Sequence, residues 1–114
     1  MPVHEFGIID NINPNQNEFN YEPSKYNCIS VDEEVIDTLS EYLPKVRTYF
    51  HSLKRSEFGL ANTGITIIPP ESLSLFCDIV ISSTLYKDSV ELNRLYEMIV
   101  IANQQKKYMI HFGL

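Results

Sequence analysis

The chain has no tryptophan, only two cysteines and only four glycines, and its bases are outnumbered by its acids. Each shortage closes off a class of function. Gly7, Gly59, Gly64 and Gly113 are scattered and form neither a dinucleotide fingerprint nor a phosphate loop, so no nucleotide cradle is expected and no cofactor is implied. Cys28 and Cys77 lie 49 positions apart without a Cys-x-x-Cys or Cys-His spacing, which argues against a disulfide framework or a zinc site. Two reduced thiols acting as small hydrophobes are expected, with a single bridge as the alternative, and a reducing compartment follows. Long apolar runs are also missing. Stretches such as Met98–Ala102 fall far short of a membrane span, and Met1-Pro2-Val3-His4-Glu5 carries no basic leader before an apolar segment. The expectation is a cytoplasmic protein with no membrane association.

What is present suits an ordinary globular domain. The 114 residues are 44% hydrophobic and 21% charged, and seven Tyr and six Phe supply bulky core volume, so one domain over residues 1–114 is expected. Charge is unevenly spread. Residues 1–41 hold nine acids (Glu5, Asp10, Glu18, Glu22, Asp32, Glu33, Glu34, Asp37, Glu41) against Lys25, a net of −8, whereas residues 42–114 hold eight bases and six acids, a net of +2. An acidic third repels phosphate backbones and disfavours nucleic acid, but it steers a basic partner. The plainer explanation, acids solvating a helix start and a loop, stays open.

Periodicity supplies the elements. Val3–Ile9 alternates loosely and reads as a strand ending at Asp10-Asn11. Asn11–Ser24 has loop chemistry with Phe19 and Tyr21 as anchors, and Tyr26–Val31 reads as a second strand. A helix then starts with Ser30 and Glu33 as a capping box or Asp32 as the cap. Val35, Ile36, Leu39, Leu43, Val46, Phe50 and Leu53 form its apolar stripe, kinked at Pro44. Lys54–Gly59 reads as a turn and Leu60–Ile68 as a third strand, with Gly64 a bulge or a close backbone approach. Pro70 opens a well-buried helix through Val80. A helix capped by Asp88 with Glu91 runs to about Gln105, and Tyr108–Phe112 is the last strand. The order β-β-α(α)-β-α-α-β predicts an α+β or α/β two-layer sandwich, with about four strands in one sheet and helices on one face.

Candidate chemistry is sparse. If the first and last strands pair, His4, Glu5 and His111 converge, and two imidazoles with a carboxylate suffice for a divalent metal, although no HExxH-type spacing is present. His51 reads as a cation near a helix end or, alternatively, as a general base opposite Ser52, Thr63 or Cys28, without a nucleophile elbow. Glu33-Glu34 and Asp37-Glu41 read as a solvated helical face and not as an acid/base pair. Lys45, Arg47, Lys54 and Arg55 form the main basic cluster, too small for a phosphate groove.

The opening HEFGIID (residues 4–10), the middle GITIIPPES (64–72) and the closing YMIHFGL (108–114) together resemble a group of small cytoplasmic proteins of Gram-positive-type bacteria. The resemblance covers nearly the whole chain and brings no activity or catalytic residue with it. In size, acidity and architecture the chain is also similar in type to the immunity partners of bacterial polymorphic toxins. The leading expectation is therefore a non-enzymatic protein-binding domain, an immunity-type inhibitor of a basic toxin, contacting it through Glu33, Glu34, Asp37 and Glu41 with Tyr42 as anchor. One alternative is a small enzyme or metal-dependent protein using His4, His51 and His111 with Glu5 or Asp10. Another is a self-associating module, a homodimer through an edge strand or the helix carrying Leu92 and Ile99.

Overall fold

The computed structural model describes residues 2–13, residue 19 and residues 21–114. The first and last strands do pair. β1 (Val3–Ile9) and β6 (Tyr108–Phe112) lie antiparallel in the interior of one sheet, with Phe6 opposite His111 and Gly7 opposite Ile110. β2 (Ile29–Asp32) flanks β1, and β5 (Ile65–Ile68) flanks β6, with Thr66 opposite His111. Beyond β5 come β3 (Arg47–Phe50) and, at the edge, β4 (Ser56–Phe58). The order is β2-β1-β6-β5-β3-β4, and every pairing is antiparallel, so the class is α+β.

Among the described residues six strands replace the four expected, and the difference lies between Leu39 and Phe58. Only Glu33–Asp37 forms the helix α1. Turns follow, then a 3-10 turn at Leu43–Lys45 beginning beside Pro44. The helix is thus already over before Pro44, which sits in the first turn of the 3-10 segment and does not kink a continuing helix. Val46-Arg47-Thr48-Tyr49-Phe50, β-branched and aromatic, then goes extended, with Val46 and Thr48 buried on either side of exposed Arg47. The expected turn at Lys54–Gly59 contributes β4, and the expected strand from Leu60 is regular only from Ile65. Tyr26 closes a 3-10 turn, and Asn27 is left-handed at φ 51°, so the second strand begins at Ile29.

Alternation sorts each strand's side chains onto two faces. On one face Phe6, Val31, Ile68 and Met109 pack with Ile36 and Leu39, with Leu73, Phe76, Ile79 and Val80 of α2 (Leu73–Ser82), and with Leu92, Leu95, Ile99 and Ala102 of α3 (Val90–Gln104). Helices therefore cover this face, as expected. The opposite face, Ile9, Ile65, Ile67, Ile110 and Phe112, is covered by Phe19, Tyr26, Tyr49 and Leu53 from loops and strand ends. Phe19 is an anchor as the sequence suggests: its N–H donates to the His51 carbonyl at 3.0 Å and its ring is buried. The rest of that loop, residues 14–18 and 20, lies outside the described residues. Among the described residues no helix is long and apolar enough to cross a membrane.

Candidate functional site

The acidic segment and the buried histidines meet at α1. Asp32 caps this helix, accepting the Glu34 N–H at 3.4 Å, and Glu33 and Glu34 stand in its first turn, where negative charge suits the helix dipole. The capping box expected of Ser30 does not form. Ser30 is held in β2 opposite Glu5, and the Glu33 carboxylate turns to His4.

His4 of β1, His111 of β6 and Thr66 of β5 stand side by side on the helix-facing side of three adjacent strands. His4 Nδ1 lies 2.7 Å from His111 Nε2, His111 Nδ1 lies 3.1 Å from Thr66 Oγ1, and Thr66 Oγ1 accepts the Ala61 N–H at 2.8 Å. The outer nitrogen of His4, Nε2, lies 3.3 Å from Glu33 Oε2. His4 is 2% exposed and His111 fully buried, the rings stack at 5.0 Å, and Phe6 packs on His111 at 4.9 Å. Burial first, then the neighbouring His4, pushes His111 down to about 3, so His111 is neutral.

With one proton on each ring and the Glu33 oxygen accepting, one assignment of protons satisfies every contact. His4 Nε2–H donates to Glu33, so His4 Nδ1 must accept; His111 Nε2–H donates to it, leaving His111 Nδ1 to accept the Thr66 hydroxyl. No buried side-chain polar atom among the described residues lacks a partner. All four ring nitrogens are thus occupied, and none offers a free lone pair.

Above His4 opens a cleft of about 190 Å³, lined by Glu33, Ile36 and Asp37 on one side and by Pro44, Phe58 and Leu60 on the other. Phe58 is 61% exposed at its rim. Further along the same segment, Glu41 and Tyr42 line a second cleft of about 220 Å³ against Ile79, Ser82 and Ser83 at the end of α2. Asp78 joins Tyr42 beside it. Glu34, Asp37 and Glu41 are exposed, and among the described residues none of them, nor Glu33, pairs with a lysine or arginine of the chain. Lys45 sits 5.3 Å over the exposed Tyr42 ring, a cation–π contact and not an ion pair with these acids. Of the remaining acids in the first third, Asp10 pairs with Lys107 at 2.8 Å, and Glu18 lies outside the described residues.

The other sequence candidates are dispersed. Glu5 alternates onto the opposite face of β1 from His4, where its charge, after burial, helps push the Cys28 thiol up to about 12. His51 is exposed in the turn after β3, left-handed at φ 64°, and packs where a side chain on Gly64 would point. It is neither at a helix end nor part of the hydrogen-bond chain that joins the other two histidines. Among the described residues no group of three histidine, cysteine, aspartate or glutamate side chains is placed to hold a metal ion. Cys28 and Cys77 are free, on opposite faces of the sheet. Leu92 and Ile99 are buried in the core, and the exposed apolar residues of α3 are Val90 and Ile101. Of the basic cluster, Arg55 pairs with Glu57 at 3.1 Å and Arg47 is exposed.

Thr66, Phe58 and Asp78 were invisible as site residues in the sequence. Only strand register brings Thr66 beside His111, and Phe58 and Asp78 sit in elements far from the acidic segment along the chain. No protein-family model, no curated protein and no solved structure matches the chain.

Proposed function

We propose that the chain is a non-enzymatic protein-binding domain that receives a basic surface of a protein partner on the segment from Glu33 to Tyr42, in the manner of an immunity-type inhibitor covering a cationic toxin. The observation that carries this reading is that Glu34, Asp37 and Glu41 are exposed and unpaired with the chain's own bases among the described residues. Two exposed aromatics, Tyr42 and Phe58, flank them beside clefts. Such an arrangement steers a cationic partner at long range and offers aromatic anchors at contact. A cytoplasmic setting belongs to the same reading and is supported by the two unbridged thiols.

The test is affinity capture from extracts of the source cells at low and high salt, followed by titration of the captured protein against the Glu34→Lys, Asp37→Lys, Glu41→Lys triple variant. The partner is expected to be basic, to be lost as salt rises, and to bind the variant at least about tenfold more weakly, a change of ~1.4 kcal/mol. Unchanged affinity together with an unchanged salt dependence defeats the reading.

A further inference from the structure

We propose that His4, His111 and Glu33 form a one-proton switch, a hydrogen-bond chain across β1, β6 and β5 that reverses direction when a single proton enters and sets a positive charge beside Glu33. The inference stands on the geometry of the pair and holds whether or not the acidic segment binds a partner.

The 2.7 Å separation of His4 Nδ1 and His111 Nε2 leaves room for one proton between them, never two. In the neutral form that proton belongs to His111, and the chain runs from the Thr66 hydroxyl through His111 and His4 to Glu33. An added proton finds no free ring nitrogen, so it enters only by reversal. The proton on His111 Nε2 passes to His4 Nδ1, and the added proton ends on His111 Nδ1, which now donates to Thr66 Oγ1. Three ring protons replace two. His4 becomes a cation donating to Glu33 on one side and to His111 on the other, while the heavy atoms keep their contacts. The carboxylate at the outer end favours this form, and burial of His111 keeps the charge on His4, the ring nearer the cleft.

The charged groups around the pair are few. α1 contributes Glu33 and, across the same cleft, Asp37. The β2 end adjoining it carries Asp32, whose N–H is held by Glu91 of α3. β5 offers Thr66, and the 3-10 turn and β4 present Leu43, Pro44 and Phe58 to the cleft, none of them charged. Phe6 covers His111 and is itself met by Phe76 of α2. Among the described residues no lysine or arginine lines this surrounding to oppose a charge on His4, and the acids there select where it rests.

Proton-detected NMR of protein with ¹⁵N-labelled histidine tests the switch directly, over a titration from about pH 8 to about pH 4. The expected result is a scalar coupling linking His4 Nδ1 and His111 Nε2 across their hydrogen bond, with the proton bonded to His111 at the upper end. Through the transition it moves to His4 while the backbone amide spectrum stays that of the folded protein. Glu33→Gln, a substitution on a half-exposed helix start, is expected to lower the midpoint by about one pH unit. If the proton stays on His111 Nε2 until the amide spectrum collapses, or if no coupling appears at any pH where the protein is folded, the switch does not exist. An unmoved midpoint in the folded Glu33→Gln variant removes Glu33 from it, and the wild-type titration alone decides the histidine pair should that variant fail to fold.

Discussion

At Gly7 the sheet is closed on the loop side by the chain itself. A Cβ there would lie 2.7 Å from Tyr26 Cβ and 2.9 Å from Cys28 Sγ, with the Tyr26 carbonyl oxygen at 3.0 Å. The Cys28 thiol ends a side chain, but Tyr26 Cβ and the Tyr26 carbonyl are tied to the backbone, so the backbone at Tyr26 would have to retreat from β1. Gly7→Ala is therefore expected to destabilise by about 1–3 kcal/mol, the usual penalty of overpacking, read as a lower urea midpoint. Stability equal to wild type would show that the loop yields freely. The sequence displayed Gly7 merely as one of four scattered glycines, since what it makes room for lies about twenty residues away. The histidines were more legible: two strands each carrying one, at the two ends of the chain, suggested convergence. Their facing was not legible, because a strand shows which residues share a side but not which side meets which neighbour. Alternation separates Glu5 from His4, and register brings in Thr66, a residue with no signature of its own.

Elements were legible where a single periodicity dominated and illegible where two coexisted. The stripe from Val35 to Leu53 satisfied helical spacing throughout, yet Val46 and Phe50 within it, with Thr48 between them, also satisfy the two-residue repeat of a strand. The helix is already over at Asp37, and the β-branched and aromatic composition of Val46–Phe50 favours the strand. Helix starts show a related competition. Asp88 and Glu91 spelled a capping box, but the Glu91 carboxylate is drawn to the Asp32 N–H, so it does not reach back to its own helix. Ser89 caps α3 instead, its Oγ accepting the Leu92 N–H at 3.1 Å, and Asn93 Nδ2 secures the entry by donating to the carbonyls of Tyr86 and Ser89 at 2.7 and 2.8 Å. Ser89→Ala should then cost about 1 kcal/mol in urea denaturation, whereas Asp88→Ala should leave the stability within about 0.5 kcal/mol of wild type. The reverse order would return the cap to Asp88.

For the whole molecule, the two faces of the sheet set opposite limits on the pH range of stability. On the helix side His111 is held down to about 3, against an ordinary value of 6.5. An unfolded chain takes up a proton there that the folded one refuses, so stability is full above about pH 6.5 and falls toward pH 3, at up to ~1.4 kcal/mol per unit. A switch that admits one proton to the folded pair does not cancel this slope, because the unfolded chain holds two. On the loop side Cys28 is pushed up from 9.0 to about 12, by burial and then by Glu5. There the unfolded chain releases a proton that the folded one keeps, so stability falls as pH rises above about 9, less steeply because the thiol is only partly buried. Urea midpoints measured across pH should trace a plateau between these limits. Cys28→Ala should flatten the alkaline limb alone, and His111→Gln, whose amide can still donate to His4 and accept from Thr66, the acid limb alone. A profile in which either substitution flattens both limbs, or neither, would mean that other groups, among them the Cys77 thiol and the Tyr108 hydroxyl that burial also raises, govern how the fold responds to pH.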